Sequence, residues 1–152
     1  MKAIHNKYNK AESLKLFEGL TVKVLLSASE TGGLQAVFED IVEPGVGPGR
    51  HIHHKQDETF LFIEGTFDVE IDGQLYKMSA GDTAFVPKGT VHAWKNVGDG
   101  IGRLRYIFSP ALNIEEMFRD ISNANIDQGI SEEFMKKLAS DYPEQETVGP
   151  PL

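Results

Sequence analysis

Three histidines and one glutamate in this chain stand at spacings suited to a metal cage. The first group reads Gly45, five residues, His51-Ile52-His53, four residues, Glu58, six residues, Gly65. The second reads Gly81, five residues, Pro87-Lys88-Gly89, two residues, His92, three residues, Asn96. Residues two apart in a strand point to one face, so His-x-His sends both imidazoles into the same space. Glu58 opens the next apolar run, and His92 follows the Pro-Lys-Gly turn. Neutral imidazoles with one carboxylate suit iron, nickel, copper, manganese, cobalt or zinc. Such a set leaves positions on a six-coordinate ion for water, dioxygen or a chelating substrate, which distinguishes a catalytic site from a closed structural one. One divalent transition metal held by His51, His53, Glu58 and His92 is therefore expected.

Neighbouring residues compete for the same roles. His54 adjoins His53 and points to the opposite face of a regular strand, unless a bulge near Lys55-Gln56-Asp57 re-aims it. His5 is isolated near the start of the chain. Asp57 is the rival carboxylate, but Glu58 shares parity with Phe60 and Phe62, which would line the cavity as an apolar wall; Asp57 belongs outside or behind the ligands. Trp94 shares parity with His92, and either faces the cavity or packs in the core or at a rim. Arg50, Arg103 and Arg105 could greet an anionic substrate, but Arg103 and Arg105 alternate with Leu104 and Tyr106 and read more simply as solvated. The glycines at 45, 47, 49, 65, 81 and 89, with Pro48 and Pro87, are backbone devices that aim the ligands. Glu43–Arg50 is not a phosphate loop, since it lacks a Gly-Lys-Ser/Thr ending and opens into a strand.

The elements that must position these residues are mostly strands. β-like runs cover Thr21–Leu26, Leu34–Val42, Thr59–Ile63, Phe67–Ile71, Gln74–Met78, Thr83–Val86, Val91–Asn96 and Arg103–Phe108. Asp72-Gly73 is the sequence of a tight type I′ hairpin. Many short strands punctuated by Gly and Pro favour a sandwich or barrel. After Ser109-Pro110 the period changes. Ile114, Met117, Phe118 and Ile121 fall at helical spacing, with Asn113 placed to cap and Glu116 as its capping-box partner. Ser131 precedes Glu132 and Glu133 as a second cap, and Phe134, Leu138 and Tyr142 form a second stripe. Pro143 ends that helix, and the terminus beyond it reads as extended. The expected organisation is one domain over 1–152, with a barrel core near 20–109 and helices near 113–142.

At 152 residues and 40% hydrophobic content the chain can bury one proper core. A net charge of −8 argues against nucleic acid or an anionic membrane as partner. No apolar run approaches the ~20 residues of a membrane span. No apolar core follows Lys2 and Lys7 to make a signal peptide, and without cysteine there is neither a disulfide framework nor a thiolate ligand. A cytoplasmic location is the expectation.

Both groups match, position for position, the paired motifs of the cupin superfamily. Over Gly45–Asn96 the chain resembles the small bacterial cupins that are similar to quercetin 2,3-dioxygenase. That resemblance implies an all-β double-stranded β-helix, the jelly roll, with a short C-terminal helical segment. It also implies a metal-dependent dioxygenase acting on a metal-chelating, enolisable, flavonol-like small molecule, with Glu58 as proton acceptor or only as ligand. Cupins also serve as isomerases, epimerases, lyases and decarboxylases, and a non-catalytic, metal-anchored ligand-binding or sensory module is the reading from another class. Small cupins of this kind are commonly homodimers. The run Thr59–Ile63 agrees, since Leu61 and Ile63 give it an apolar second face in need of cover.

Overall fold

Alternation of apolar and polar residues resolves into short antiparallel strands. The computed structural model describes residues 1–125 and 129–152. After one 3-10 turn at Tyr8–Lys10, the strands are β1 (Glu12–Phe17), β2 (Leu20–Leu26), β3 (Ala36–Val42), β4 (His51–His53), β5 (Asp57–Glu64), β6 (Thr66–Ile71), β7 (Gln74–Ser79), β8 (Thr83–Val86), β9 (His92–Asn96) and β10 (Gly102–Ser109). Helices α1 (Ile114–Ala124) and α2 (Glu132–Asp141) follow, then a last strand β11 (Gln145–Thr147). One sheet has the order β1-β2-β3-β10-β5-β8 and the other β11-β4-β9-β6-β7. This is a jelly-roll double-stranded β-helix with a C-terminal helical segment. No described helix is long and apolar enough to cross a membrane.

The core lies between the sheets, because each strand turns its apolar parity inward. On β10 that parity is Leu104, Tyr106 and Phe108; on β5 it is Glu58, Phe60 and Phe62. Phe38 of β3 sits among rings, with centroids of Tyr106, Phe108 and Phe118 at 5.5, 6.1 and 5.2 Å. Fully burying a phenylalanine of this kind stabilises by roughly 1.5–3 kcal/mol. The turn at Asp72-Gly73 has φ of 50° and 77°, the double positive φ that a type I′ hairpin requires.

Several expectations are corrected here. Two strands lie outside the 20–109 span: β1, and β11, which pairs with the edge of β4. Asn113 makes no side-chain cap to α1, and its Oδ1 is buried without a partner among the described residues. Ser131 does cap α2, accepting from the Phe134 N–H at 3.1 Å. The arginines point outward and are partly exposed, as read, and each also pairs with a carboxylate. Glu39 is buried on the outer face of β3, where the N-terminal segment roofs it: Tyr8 donates to it at 2.5 Å and Arg105 Nε at 2.6 Å, with Arg103 beside them. Left unpaired there, that carboxylate would be costly. Arg50 forks onto Glu70, Nε and Nη2 donating at 2.7 and 2.9 Å.

Candidate metal centre

The four chemistry-bearing residues come from both sheets. His51 and His53 share a face of β4, and His92 of β9 lies directly opposite His51 in an antiparallel pair. Glu58 reaches in from β5 of the facing sheet. Gly47 permits this by lack of bulk rather than by positive φ: a Cβ there would fall 1.9 Å from the Trp94 carbonyl oxygen, so only glycine lets the segment before His51 cross β9. Gly89, at φ 81°, donates its N–H to the His53 carbonyl at 2.8 Å and ties the Pro-Lys-Gly turn to β4. Asp57 accepts from the Lys88 N–H at 2.9 Å and braces that same turn, away from the ligands. His54 points away, bonded to Glu146 at 2.7 Å.

One ligand atom from each of His51, His53, Glu58 and His92 lies within 4.8 Å of every other, so the group could hold one metal ion. The imidazole centroids are 4.2 to 5.2 Å apart. Each ring is tied through Nδ1 to an oxygen: His51 to the Gly49 carbonyl at 2.7 Å, His92 to the Thr90 carbonyl at 3.0 Å, and His53 to Gln145 Oε1. Carbonyl oxygens only accept, so the Nδ1 atoms of His51 and His92 carry protons and Nε2 is the nitrogen left for a ligand bond. His92 Nε2 is 2.9 Å from Glu58 Oε2 and hydrogen-bonded to it. His53 Nε2 is 3.2 Å from the same oxygen but off hydrogen-bond geometry, a buried nitrogen without a partner among the described residues. An orphaned imidazole nitrogen facing a carboxylate and two more imidazoles fits a divalent transition metal.

The electrostatics agree with a ligand set ready for a cation. Burial pushes the Glu58 carboxyl up, but the imidazoles of His53 and His92 outweigh burial and hold it well below the usual carboxylate range. Burial would lower His92; its hydrogen bond to Glu58 and the charge there win, and its net shift is upward. Burial, then the two neighbouring imidazoles, push His51 down to about 3, so it is neutral at physiological pH. Each imidazole offers its Nε2 to an ion, and any proton carried there must leave on metal uptake.

His51, His53 and Glu58 lie on the wall of a cavity of about 520 Å³ that is mostly apolar, and His92 is buried and hydrogen-bonded to Glu58. Trp94, Tyr106, Phe108 and Phe118 form much of its wall, with Leu138 of α2 across from the barrel. Phe60 and Phe62 do not line it, contrary to the expectation from parity. They point inward but deeper, and are 0% and 2% exposed. Phe60 packs its ring 6.1 Å from that of His92, and Phe62 lies 5.4 Å from Phe67. Further polar groups face the cavity, Asp40 and Gln145 among them. Asp40 of β3 is buried and accepts from the Tyr106 hydroxyl at 2.8 Å. Burial, with Glu58 and Glu39 nearby, raises the Asp40 carboxyl well above its ordinary range against the lowering effect of the Tyr106 bond, and burial likewise raises Tyr106. The signal for Asp40 was present in the sequence, since it is the one carboxylate at core parity in Ala36–Val42. Gln145 carried no such signal.

Residues 38–108 match the Cupin domain family. A relative in Streptomyces halstedii, protein SchB, is 30% identical over 95 residues, covering 60% of this chain and 67% of that one. The chain belongs to the cupin superfamily. An uncharacterised Aquifex aeolicus protein is 35% identical over 69 residues, 45% of this chain and 56% of its own length. Quercetin 2,3-dioxygenase of Bacillus subtilis is 31% identical over 84 residues, 53% of this chain but 24% of that enzyme. Among solved structures, KdgF from Halomonas sp. superposes with a TM-score of 0.66 at 18% identity, covering 74% of this chain and 99% of that one, which shows a shared fold.

Proposed function

We propose that this protein is a metal-dependent enzyme acting on a small, largely apolar molecule with enolisable, chelating oxygens, and that the reaction is a dioxygenation. The observation that carries this reading is the ligand set of His51, His53, Glu58 and His92, three of which line an apolar cavity of about 520 Å³. A bound divalent ion supplies Lewis acidity, which lowers the pKa of a coordinated hydroxyl. Glu58, ionised, accepts the proton of that hydroxyl at a carboxylate oxygen. Trp94 and Phe108 offer flat apolar faces to the substrate, and the aromatic wall keeps competing water out. The partial likeness to quercetin 2,3-dioxygenase supports the reaction type.

Protein loaded separately with Fe, Mn, Co, Ni, Cu and Zn should be offered flavonols and other enolisable hydroxyketones in an oxygen electrode, with labelled dioxygen traced into product. Oxygen uptake with both atoms incorporated is the expected result. Equal turnover under nitrogen would replace it with a non-oxidative proton transfer, a reading favoured by the Asp40–Tyr106 pair: a buried carboxyl raised above its ordinary range near a Glu58 held below it is the pattern of an acid–base couple. Tight binding with no turnover of any candidate would leave a binding module.

We also infer a cytoplasmic homodimer. The outer face of β5 and β8 leaves Ile63 and Phe85 exposed, 42% and 59%, and a two-fold partner would cover them. A monomer mass by light scattering at tens of micromolar would sink this.

A further inference from the structure

Two of the three imidazoles are oriented by their own loops, since His51 and His92 each bond a carbonyl two residues earlier. His53 is different. Its Nδ1 partner is Gln145, 92 positions away on β11 and beyond the family-matched region 38–108. β11 runs antiparallel to β4, with Gln145 opposite His53 and Thr147 opposite His51. Backbone bonds extend that seam on both sides, from the His54 N–H to the Glu144 carbonyl at 2.8 Å and from the Val148 N–H to the Arg50 carbonyl at 2.7 Å. Gln145 Nε2 donates to Gln56 Oε1, and Gln56 Nε2 donates to the Ala111 carbonyl at 2.6 Å.

The last link sets the polarity of the whole chain of bonds. A backbone carbonyl only accepts, so fully buried Gln56 must turn its NH2 to Ala111. Its Oε1 then faces Gln145 and accepts, so Gln145 must turn its NH2 that way. Gln145 Oε1 is left facing His53, and it too can only accept. Nδ1 of His53 therefore carries the proton, and Nε2 is a bare lone pair. That nitrogen is buried and has no hydrogen-bond partner among the described residues.

We propose that the C-terminal strand is a positioning element of the metal centre: Gln145, polarised through Gln56 by the Ala111 carbonyl, commits His53 to the tautomer that can bind a metal. The inference rests on the metal-centre reading and makes the ion's affinity depend on a segment outside the cupin motifs. Replacing such a supporting partner costs about 10–100-fold in metal affinity.

The test uses the full-length protein, wild type, Gln145→Leu, Gln145→Glu and Gln56→Leu. Long-range nitrogen–proton spectra of the metal-free proteins report the His53 tautomer, and Zn2+ competition against a chromophoric chelator reports affinity. Wild type should show His53 protonated at Nδ1. Gln145→Leu should show a mixture and bind Zn2+ about 10–100-fold more weakly, with circular dichroism unchanged. Gln145→Glu, which still accepts from Nδ1, should keep most of the affinity; a merely structural role for Gln145 predicts equal losses in both. Should Gln145→Leu fail to fold, Gln56→Leu breaks the relay one link away and should mix the tautomers. An unchanged tautomer together with unchanged Zn2+ affinity in the leucine variants overturns the proposal. A wild type that takes up no Zn2+ defeats the metal-centre reading instead, and the proposal falls with it if its His53 is protonated at Nε2.

Discussion

The inner face of β5 carries two regions of opposite character four residues apart, Glu58 at one end and Phe62 at the other. At the Glu58 end every imidazole is tied through Nδ1 to an oxygen, while one Nε2 has no partner among the described residues. At the Phe62 end Phe38, Phe60, Phe62 and Phe67 are fully packed, rings against rings. Dispersion and burial hold that end together but discriminate orientation weakly, whereas hydrogen bonds are directional. The contrast teaches that in this barrel close packing supplies the frame and hydrogen bonds supply the aim. Asn96 belongs with the frame even though it completes the second motif: it clips loops through the Val42 and Gly100 carbonyls, both at 2.9 Å.

The sharpest way to break this contrast is to remove groups from the ligand end. His53→Ala should keep its circular dichroism spectrum and lose bound metal on elemental analysis, with activity falling in step. Glu58→Gln should retain part of its metal yet turn over ~10²–10⁴-fold more slowly per bound ion, the value of a positioned general base. Near-normal turnover per ion would make Glu58 a ligand only.

At the aromatic end the opposite pattern is expected. Phe62→Ala should cost about 3–5 kcal/mol in urea unfolding, with Zn2+ affinity unchanged in the folded protein. A comparable drop in affinity would show that the frame also aims.

Asp40 lines the cavity, and its effect is a matter of pH. Its carboxyl is raised in the folded protein, so the stability it contributes is present below its unfolded pKa of ~3.9 and lost as pH rises through the folded value. Asp40→Asn should therefore be more stable than wild type at pH above that value, by about 1.4 kcal/mol for each pKa unit of the shift, and lose its advantage near pH ~4. Denaturant unfolding across this range checks the sign. An advantage that grew toward acid pH would contradict a raised Asp40 carboxyl.

The smallest effect belongs to the helices. Ser131→Ala should destabilise by about 1 kcal/mol by removing the α2 cap, whereas Asn113→Ala removes no cap bond and should cost less. Calorimetry separates the two.

What the sequence determined by itself is local. Period-two alternation set which residues face inward, Asp72-Gly73 set a hairpin, and His-x-His with Glu58 and His92 named the four residues that converge, because strand parity and tight turns are decided within a few residues. Parity, however, states direction and not depth. It could not tell that Phe60 and Phe62 lie in closed packing while Tyr106 and Phe108, from another strand, meet the cavity. Nor could it show Tyr106 reaching Asp40 or Gln145 reaching His53, which lie 66 and 92 positions apart. The Asn113 cap failed for the same reason, and the pairing of the outward-facing arginines with a buried Glu39 stayed hidden, since the burial of Asn113 Oδ1 and of Glu39 is set by what the rest of the chain lays over them. Only the closure of two sheets on one another, with β11 added to an edge, brings those groups within hydrogen-bond reach.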